Sequence, residues 1–266
     1  MTSCQDKPPK VSIICPTYNR PERHENLYKA FLHQTYENKE LLVLDDSPSP
    51  SPFFTNLDDP RVKYQNLSCR ATIGYKRNAL IGMASGEIIA HFDDDDYYAP
   101  NYLSTMVGQL GPADLIKLSK WLAWREIDAS FWEWDTRFIG LFHFVVMGNE
   151  KSVLTTDLKQ TNANDLNSWM DANLWGYGFS YVYRKSLWES CPFENINGGE
   201  DYNFVCKARN LGKKISHIPD LGHIAVHTLH PGSTSRIFPQ YHHDSLTRIE
   251  TVGEKAAPWL TMERSL

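Results

Sequence analysis

No stretch of this 266-residue chain approaches the roughly 20 consecutive apolar residues that span a bilayer. The longest apolar segment, Phe138 to Met147, is broken by Gly140 and His143 and reads as a buried element. The opening MTSCQDKPPK is too polar for a secretory leader, so the expectation is a soluble protein, at most peripheral to a membrane. Cysteine is scarce: five residues, an odd number, with no C-x-x-C pair. That pattern excludes a disulfide framework and points to a reducing, cytoplasmic compartment, with Cys15, Cys69, Cys191 and Cys206 as core or idle thiols. Positive charge is not in excess either, since 27 Lys and Arg face 32 Asp and Glu. The net charge of -5 leaves no electrostatic footprint for nucleic acid. Neither G-x-G-x-x-G nor a Walker phosphate loop occurs, which argues against a dinucleotide dehydrogenase and a P-loop enzyme. There is no internal repeat and no linker of domain-boundary character.

What is present is ordinary globular composition, 41% hydrophobic and 22% charged, at a length that can bury a sizeable core. Val11 to Cys15 is a continuous apolar run stopped by Pro16, as expected of a strand covered on both faces. A helical stretch from Pro21 to about His33 follows, with Leu27, Ala30, Phe31 and Gln34 at helical spacing. Leu41 to Leu44 forms a second strand ending in Asp45 and Asp46. The segment SPSPSPFF at 47–54 reads as a mobile surface loop. Val62 to Tyr64 gives a third strand, and IGYKRNALIGMASG gives a helix closed at Gly86. The order strand, helix, strand, strand, helix, strand makes the first hundred residues an α/β nucleotide-binding half.

The stretch GEIIAHFDDDDYYAP, Gly86 to Pro100, is the focus of the chain. Ile88, Ile89 and Ala90 predict a strand that delivers four aspartates to its carboxyl end, where open α/β sheets place their ligands. An extended backbone would put Asp93 and Asp95 on one side and Asp94 and Asp96 on the other. Two carboxylates about 5 Å apart at an effective dielectric of about 20 repel by roughly 3 kcal/mol, so a cation belongs there. An EF-hand does not fit, because Tyr98 stands where that loop requires Gly. A divalent cation carrying a phosphorylated substrate does.

Downstream, Asn101 to Leu110 predicts a helix and Ala113 to Trp124 a strand. The polar stretch from Lys151 to Asn173 reads as a lid. FSYVYRKSLW restores regular structure, and EDYNFVCKARNLG predicts a helix with Phe204, Val205 and Ala208 on one face, stopped by Gly212. Lys214 to Ile218 and Ile224 to His227 read as short strands. Trp121, Trp124, Trp132, Trp134, Trp169 and Trp175 are available either as packing or as an acceptor platform.

Five motifs carry a resemblance: CPTYNRPE at 15–22, LVLDDSPS at 42–49, IGYKRNAL at 73–80, HFDDDDYYAPNYL at 91–103 and NGGEDYNF at 197–204. In their order and spacing, over about residues 11 to 235, the chain resembles the family 2 inverting glycosyltransferases. The resemblance implies a GT-A type α/β fold: a single Rossmann-like, mostly parallel sheet flanked by helices. A flexible lead would occupy 1–10, the transferase domain 11–240 and a tail 241–266. It further implies transfer of one sugar from a nucleotide-diphosphate donor, UDP-linked by preference, to a glycan or other hydroxyl-bearing acceptor. Pro16, Thr17 and Tyr18 would line the base and Asp46 would hydrogen-bond it, with Arg20, Arg77 and Asp94 on the donor side. Asp93 and Asp95 match the family's D-x-D and would hold Mn²⁺ or Mg²⁺, Asp95 directly. His223, His227 and His230 are candidate further ligands, with His227 and His230 foremost. Asp201 matches the catalytic base and Glu200 its supporting carboxylate, and Trp175 precedes the glycine-rich segment that would face the donor sugar.

Two departures accompany the match. QxxRW, the mark of processive synthases, is absent, which predicts single-sugar transfer. The third aspartate of the usual second motif is replaced by a Pro-rich segment. A nucleotidyltransferase would need a Gly-rich, Lys-bearing loop after the first strand, which PTYNRPE is not. A non-catalytic nucleotide-sugar-binding protein on the same fold would have no use for Asp201.

Overall fold

The computed structural model describes residues 7–126, 130–137, 144–145, 171–233, 237–238 and 241–242. Most of the apolar segment 138–147, the lid expected at 151–173 up to residue 170, and the tail from 243 lie outside the described residues.

The elements are β1 (Val11–Thr17), α1 (His24–His33), β2 (Lys39–Asp45), α2 (Pro52–Thr55), β3 (Val62–Asn66), α3 (Ile73–Met83), β4 (Ile88–His91), β5 (Tyr97–Tyr98) and α4 (Tyr102–Leu110). Then come β6 (Leu115–Arg125), β7 (Ser130–Asp135), β8 (Phe144–Val145), helical residues 171–175 (α5), β9 (Val182–Arg184), α6 (Lys185–Ser190) and α7 (Glu200–Asn210). β10 (Ile215–Pro219), β11 (Ala225–Leu229), β12 (Ile237–Phe238) and β13 (Tyr241–His242) complete the series.

The main sheet runs β13-β7-β6-β9-β4-β1-β2-β3, with β10 and β11 along β6 and β5 on β11. It is parallel through β3, β2, β1 and β4 and again where β10 and β11 join β6, while β9 runs antiparallel between β4 and β6. The α/β sheet flanked by helices is therefore as the sequence predicts. Side chains alternate along β1: Ile13 and Cys15 pack with Phe31 of α1, and Ile14 packs with Leu80 and Ile81 of α3. The two helices thus cover opposite faces. The chain leaves β1 toward β2 on one side and returns to β4 on the other, so the strand order reverses at β1. A crevice opens there at the carboxyl ends of β1 and β4.

One expectation is corrected. The Ser/Pro segment is docked, with Ser51 and Phe54 buried. Ser51 caps α2 by accepting from the Phe54 N–H at 3.3 Å, and its own N–H donates to the Tyr64 hydroxyl at 2.7 Å. Phe54 stacks on Tyr64 with ring centroids 5.2 Å apart. Two aromatic side chains supply enough apolar area to outweigh the turn-forming composition.

The opposite end of the sheet is closed by a buried carboxylate. Glu40 accepts from Ser12 Oγ at 2.6 Å, from the Ser85 N–H at 2.7 Å and from Lys10 Nζ at 3.0 Å. Beside it, a Cβ at Gly86 would meet the Lys10 carbonyl at 2.6 Å, so only glycine fits. Burial opposes the charge of Glu40, but these donors outweigh it and hold its carboxyl down at about 2, against an ordinary 4.5. The stabilisation is complete above about pH 4.5 and is lost as pH falls through about 2. Glu40→Gln should therefore cost about 1 to 3 kcal/mol at neutral pH. In thermal denaturation followed from pH 6 downward, the gap between wild type and variant should close as acid protonates the wild type.

Candidate active site

β4 is buried along its whole length, and its chain leaves the sheet at Phe92. The aspartates lie in a turn instead of an extended strand, which corrects the strict two-sided alternation. Asp96 consequently joins Asp93 and Asp95, and one carboxylate oxygen from each lies within 4.8 Å of the others. Asp94 stands outside this cluster but still lines the crevice, and Thr17 Oγ1 donates to it at 2.5 Å and Arg20 at 2.8 Å.

The cluster is strained by its own charge. Burial and the repulsion of Asp96 and Asp95 push the Asp93 carboxyl up to about 8, and burial raises Asp94 and Asp96 as well. Asp95 is held well below the usual carboxylate range despite its burial, because His230 and Arg20 neutralise it. Arg20 Nη1 lies 2.7 Å from Asp95 and 2.8 Å from Asp94, and its Nη2 donates to the Gly232 carbonyl at 2.7 Å.

The histidines separate by their free nitrogens. His230 Nε2 is 2.8 Å from Asp95, and its Nδ1 accepts from the Gly232 N–H at 3.1 Å, so both nitrogens have protein partners. His227 Nδ1 is held by Asp96 at 2.9 Å, while its buried Nε2 has no hydrogen-bond partner among the described residues. Burial opposes a charge on His227, yet Asp96, Asp95 and Asp93 push it up to about 9. A carboxylate on one ring nitrogen and an open second nitrogen is the arrangement by which metal-binding histidines are oriented. Three clustered carboxylates form an oxygen donor set that suits Mn²⁺ or Mg²⁺, so the residues present fit such an ion, with His227 held beside the cluster by Asp96. His223 adopts a positive φ of 50° in the turn before β11 and does not line the crevice.

The crevice is a cavity of about 510 Å³. It is lined by Pro16, Arg20, Asp93, Asp94, Asp95 and His227 and by Arg77, Tyr177, Gly178, Glu200 and Asp201. Asp201 opens α7 after two left-handed glycines, Gly198 and Gly199, both at φ 78°. Its Oδ2 accepts from the Gly178 N–H at 2.8 Å and its Oδ1 from the Tyr202 N–H at 2.7 Å. Glu200 is buried beside it and bound to Arg77 at 2.5 Å, with its Oε2 and Arg77 Nε left without partners among the described residues.

Other residues singled out from the sequence stand elsewhere. Asp46 is buried and engaged by Lys76 at 2.7 Å, Arg70 at 2.8 Å and the Ala71 N–H at 2.9 Å. Tyr18 is exposed, with the Arg70 guanidinium 3.3 Å above its ring. Thr17 is buried between His24 and Asp94. Trp175 does not line the cavity: Arg209 covers its ring at 4.2 Å, and its Nε1 donates to Asp171. The lining aromatics are Tyr177, two residues later, with Phe179 and Tyr202. Trp121 and Trp134 are buried and pack on Tyr177 at 5.1 and 5.5 Å, so these tryptophans support the cavity wall as core. Sequence reasoning also missed Lys117, a fully buried lysine under the same wall, because alternation along β6 gives no sign of a charge inside.

The glycosyl transferase family 2 model matches residues 12–143. The chain is 38% identical over 106 residues to the GalNAc(5)-diNAcBac-PP-undecaprenol beta-1,3-glucosyltransferase of Campylobacter jejuni, a match covering 37% of this chain and 34% of the relative. It is 35% identical over 102 residues to the UDP-Glc:alpha-D-GlcNAc-diphosphoundecaprenol beta-1,3-glucosyltransferase WfgD of Escherichia coli, covering 38% and 40% of the two chains. These matches thus span between a third and two-fifths of the relatives' own lengths. Among solved structures, mannosyltransferase PcManGT from Pyrobaculum calidifontis, in complex with GDP-Man and Mn²⁺, superimposes with a TM-score of 0.59 at 17% identity. That superposition covers 86% of this chain and 59% of the other. The motifs from Cys15 to Leu103 lie inside the matched span, and the sheet that carries them is the one found in solved glycosyltransferases: residues 12–143 belong to glycosyl transferase family 2, and the chain has the GT-A fold.

Proposed function

We propose that this chain transfers a single sugar from a nucleotide-diphosphate sugar to an acceptor hydroxyl with inversion, assisted by Mn²⁺ or Mg²⁺. The observation that carries the reading is a single cavity lined by Asp93 and Asp95 of the carboxylate cluster, by His227 and by the carboxylate of Asp201. When bound, the cation would neutralise the diphosphate and make it a better leaving group. Asp93, Asp95 and His227 would hold it, with Asp96 fixing the imidazole.

The remaining work belongs to side chains and backbone. Asp201 accepts the proton of the acceptor hydroxyl as that oxygen bonds to the anomeric carbon, the bond from that carbon to phosphate oxygen breaks, and the nucleoside diphosphate departs. Two backbone N–H groups fix the carboxylate so that little reorientation is needed. The buried Arg77–Glu200 pair adjoins the same wall, where Glu200 Oε2 can accept from a sugar hydroxyl. Pro16, Thr17 and Tyr18, with Asp46 behind Arg70, mark the nucleotide side.

UDP is the favoured nucleotide, in keeping with the UDP-Glc donor named for the Escherichia coli relative. The undecaprenol-linked acceptors in the relatives' names support a lipid-linked glycan, met at a membrane surface. No described helix is long and apolar enough to cross a membrane. The test is a panel of UDP-, GDP- and dTDP-sugars assayed for nucleoside diphosphate release with and without Mn²⁺. Release from a UDP-sugar that requires the cation is expected, and no release from any donor would reject the reading.

A further inference from the structure

Lys117 lies on β6 with no exposed surface, and among the described residues no carboxylate is within ion-pair distance of it. Burying an ammonium without a counter-ion is costly, and an apolar residue of similar volume would fill the same space. Burial accordingly pushes Lys117 down to about 7, with the Asp201 carboxylate the one charge that acts against this.

Its donors are aimed at a single object. Nζ donates to the carbonyls of Leu174 at 2.8 Å and Gly176 at 2.5 Å, and Tyr181 Oη takes the intervening Trp175 carbonyl. These are the carbonyls at the carboxyl end of α5, where a helix leaves its last acceptors unpaired and a cation complements its dipole. Immediately beyond the clamp, Tyr177 turns the chain with a left-handed φ of 62°, its hydroxyl tied to Asn173 at 3.0 Å. That turn presents the Gly178 N–H to Asp201 at 2.8 Å, while His91 Nδ1 holds the Gly178 carbonyl at 2.8 Å. A Cβ at Gly178 would stand 2.9 Å from the Cβ of Asp201, so the segment and the carboxylate are fitted to each other without slack.

We infer that Lys117 is a positioning residue for Asp201: by pinning the carbonyls of Leu174 and Gly176 it fixes the Tyr177 turn, and through the Gly178 N–H it sets the orientation of the carboxylate. The inference deepens the proposed function, since it rests on Asp201 as the proton acceptor. Residues 176–178 also line the cavity.

The test compares Lys117→Met and Lys117→Arg in the full chain. Hydrogen exchange over 172–180, calorimetry with UDP and Mn²⁺, and turnover of UDP-glucose or whichever donor the panel selects are measured together. For Lys117→Met, protection over 172–180 should fall and kcat should drop about tenfold or more, with donor KM and UDP affinity within about twofold of wild type. Lys117→Arg, which keeps a charged donor, should recover the protection and most of the kcat. Because the effect runs through Asp201, Lys117→Met should cost almost nothing further when added to Asp201→Asn. Should Lys117→Met fail to fold, Lys117→Gln carries the same comparison. Unchanged exchange with unchanged kcat would overturn the inference, as would a kcat loss that persists in full beside Asp201→Asn. If the wild type turns over no donor, the functional reading fails, while the exchange measurement still decides whether Lys117 holds the segment.

Discussion

Asp201→Asn is expected to lower turnover by about a hundredfold or more while leaving UDP and metal affinity within about twofold of wild type. A sugar hydroxyl is a weak nucleophile, and its proton must leave as the new bond forms. General base catalysis of that step is typically worth about 10² to 10⁴ in rate, and an amide cannot supply it. The substitution is not silent for structure. Both carboxylate oxygens accept a backbone N–H, from Gly178 and from Tyr202, and an amide offers only one acceptor. One donor is left facing an NH₂ group, so a loss of about 1 to 3 kcal/mol should appear in thermal denaturation. A carboxylate that served only to open α7 would show that stability loss and near-normal turnover. Retained turnover, or a product of retained anomeric configuration by NMR, would refute the mechanism.

The second large effect concerns the cation. UDP should bind at least about tenfold more tightly with Mn²⁺ than without it, because the diphosphate otherwise meets three clustered carboxylates. Asp95→Ala should remove most of that difference. It frees Arg20 and His230, which now neutralise Asp95, so metal-free UDP affinity should hold steady or rise. Proton linkage gives an independent check. Metal ligation requires Asp93 as the anion, and its carboxyl is pushed up to about 8 by burial and its neighbours, so Mn²⁺ affinity should strengthen as pH rises toward that value. His227 adds to the same trend, since its imidazolium must lose a proton before Nε2 can bind. Equal UDP affinity with and without Mn²⁺ in calorimetry would sink the metal assignment.

The division between sequence and structure follows the range of the forces involved. Continuous apolar runs determined β1, β2 and β4, and helical periodicity determined α1 and α7. Burial of those side chains is a local demand that no neighbour reversed. The acids at the end of β4 and at the start of α7 were legible for the same reason: each follows directly from an element boundary. Tertiary structure alone decided which acids meet. The turn at 94–96 brought Asp96 to Asp93 and Asp95 and sent Asp94 toward Arg20, because a backbone that leaves the sheet no longer alternates. Pairing across distant elements set the rest. Lys76 and Arg70 occupy Asp46, Asp95 occupies His230, and the Asp96 contact leaves His227 with its one open nitrogen. The ammonium of Lys117 sits within the core, where it serves carbonyls 57 and 59 residues away. Hydrogen bonds of that separation leave no periodic trace in a sequence, since they depend on a direction in space that only the closed sheet supplies.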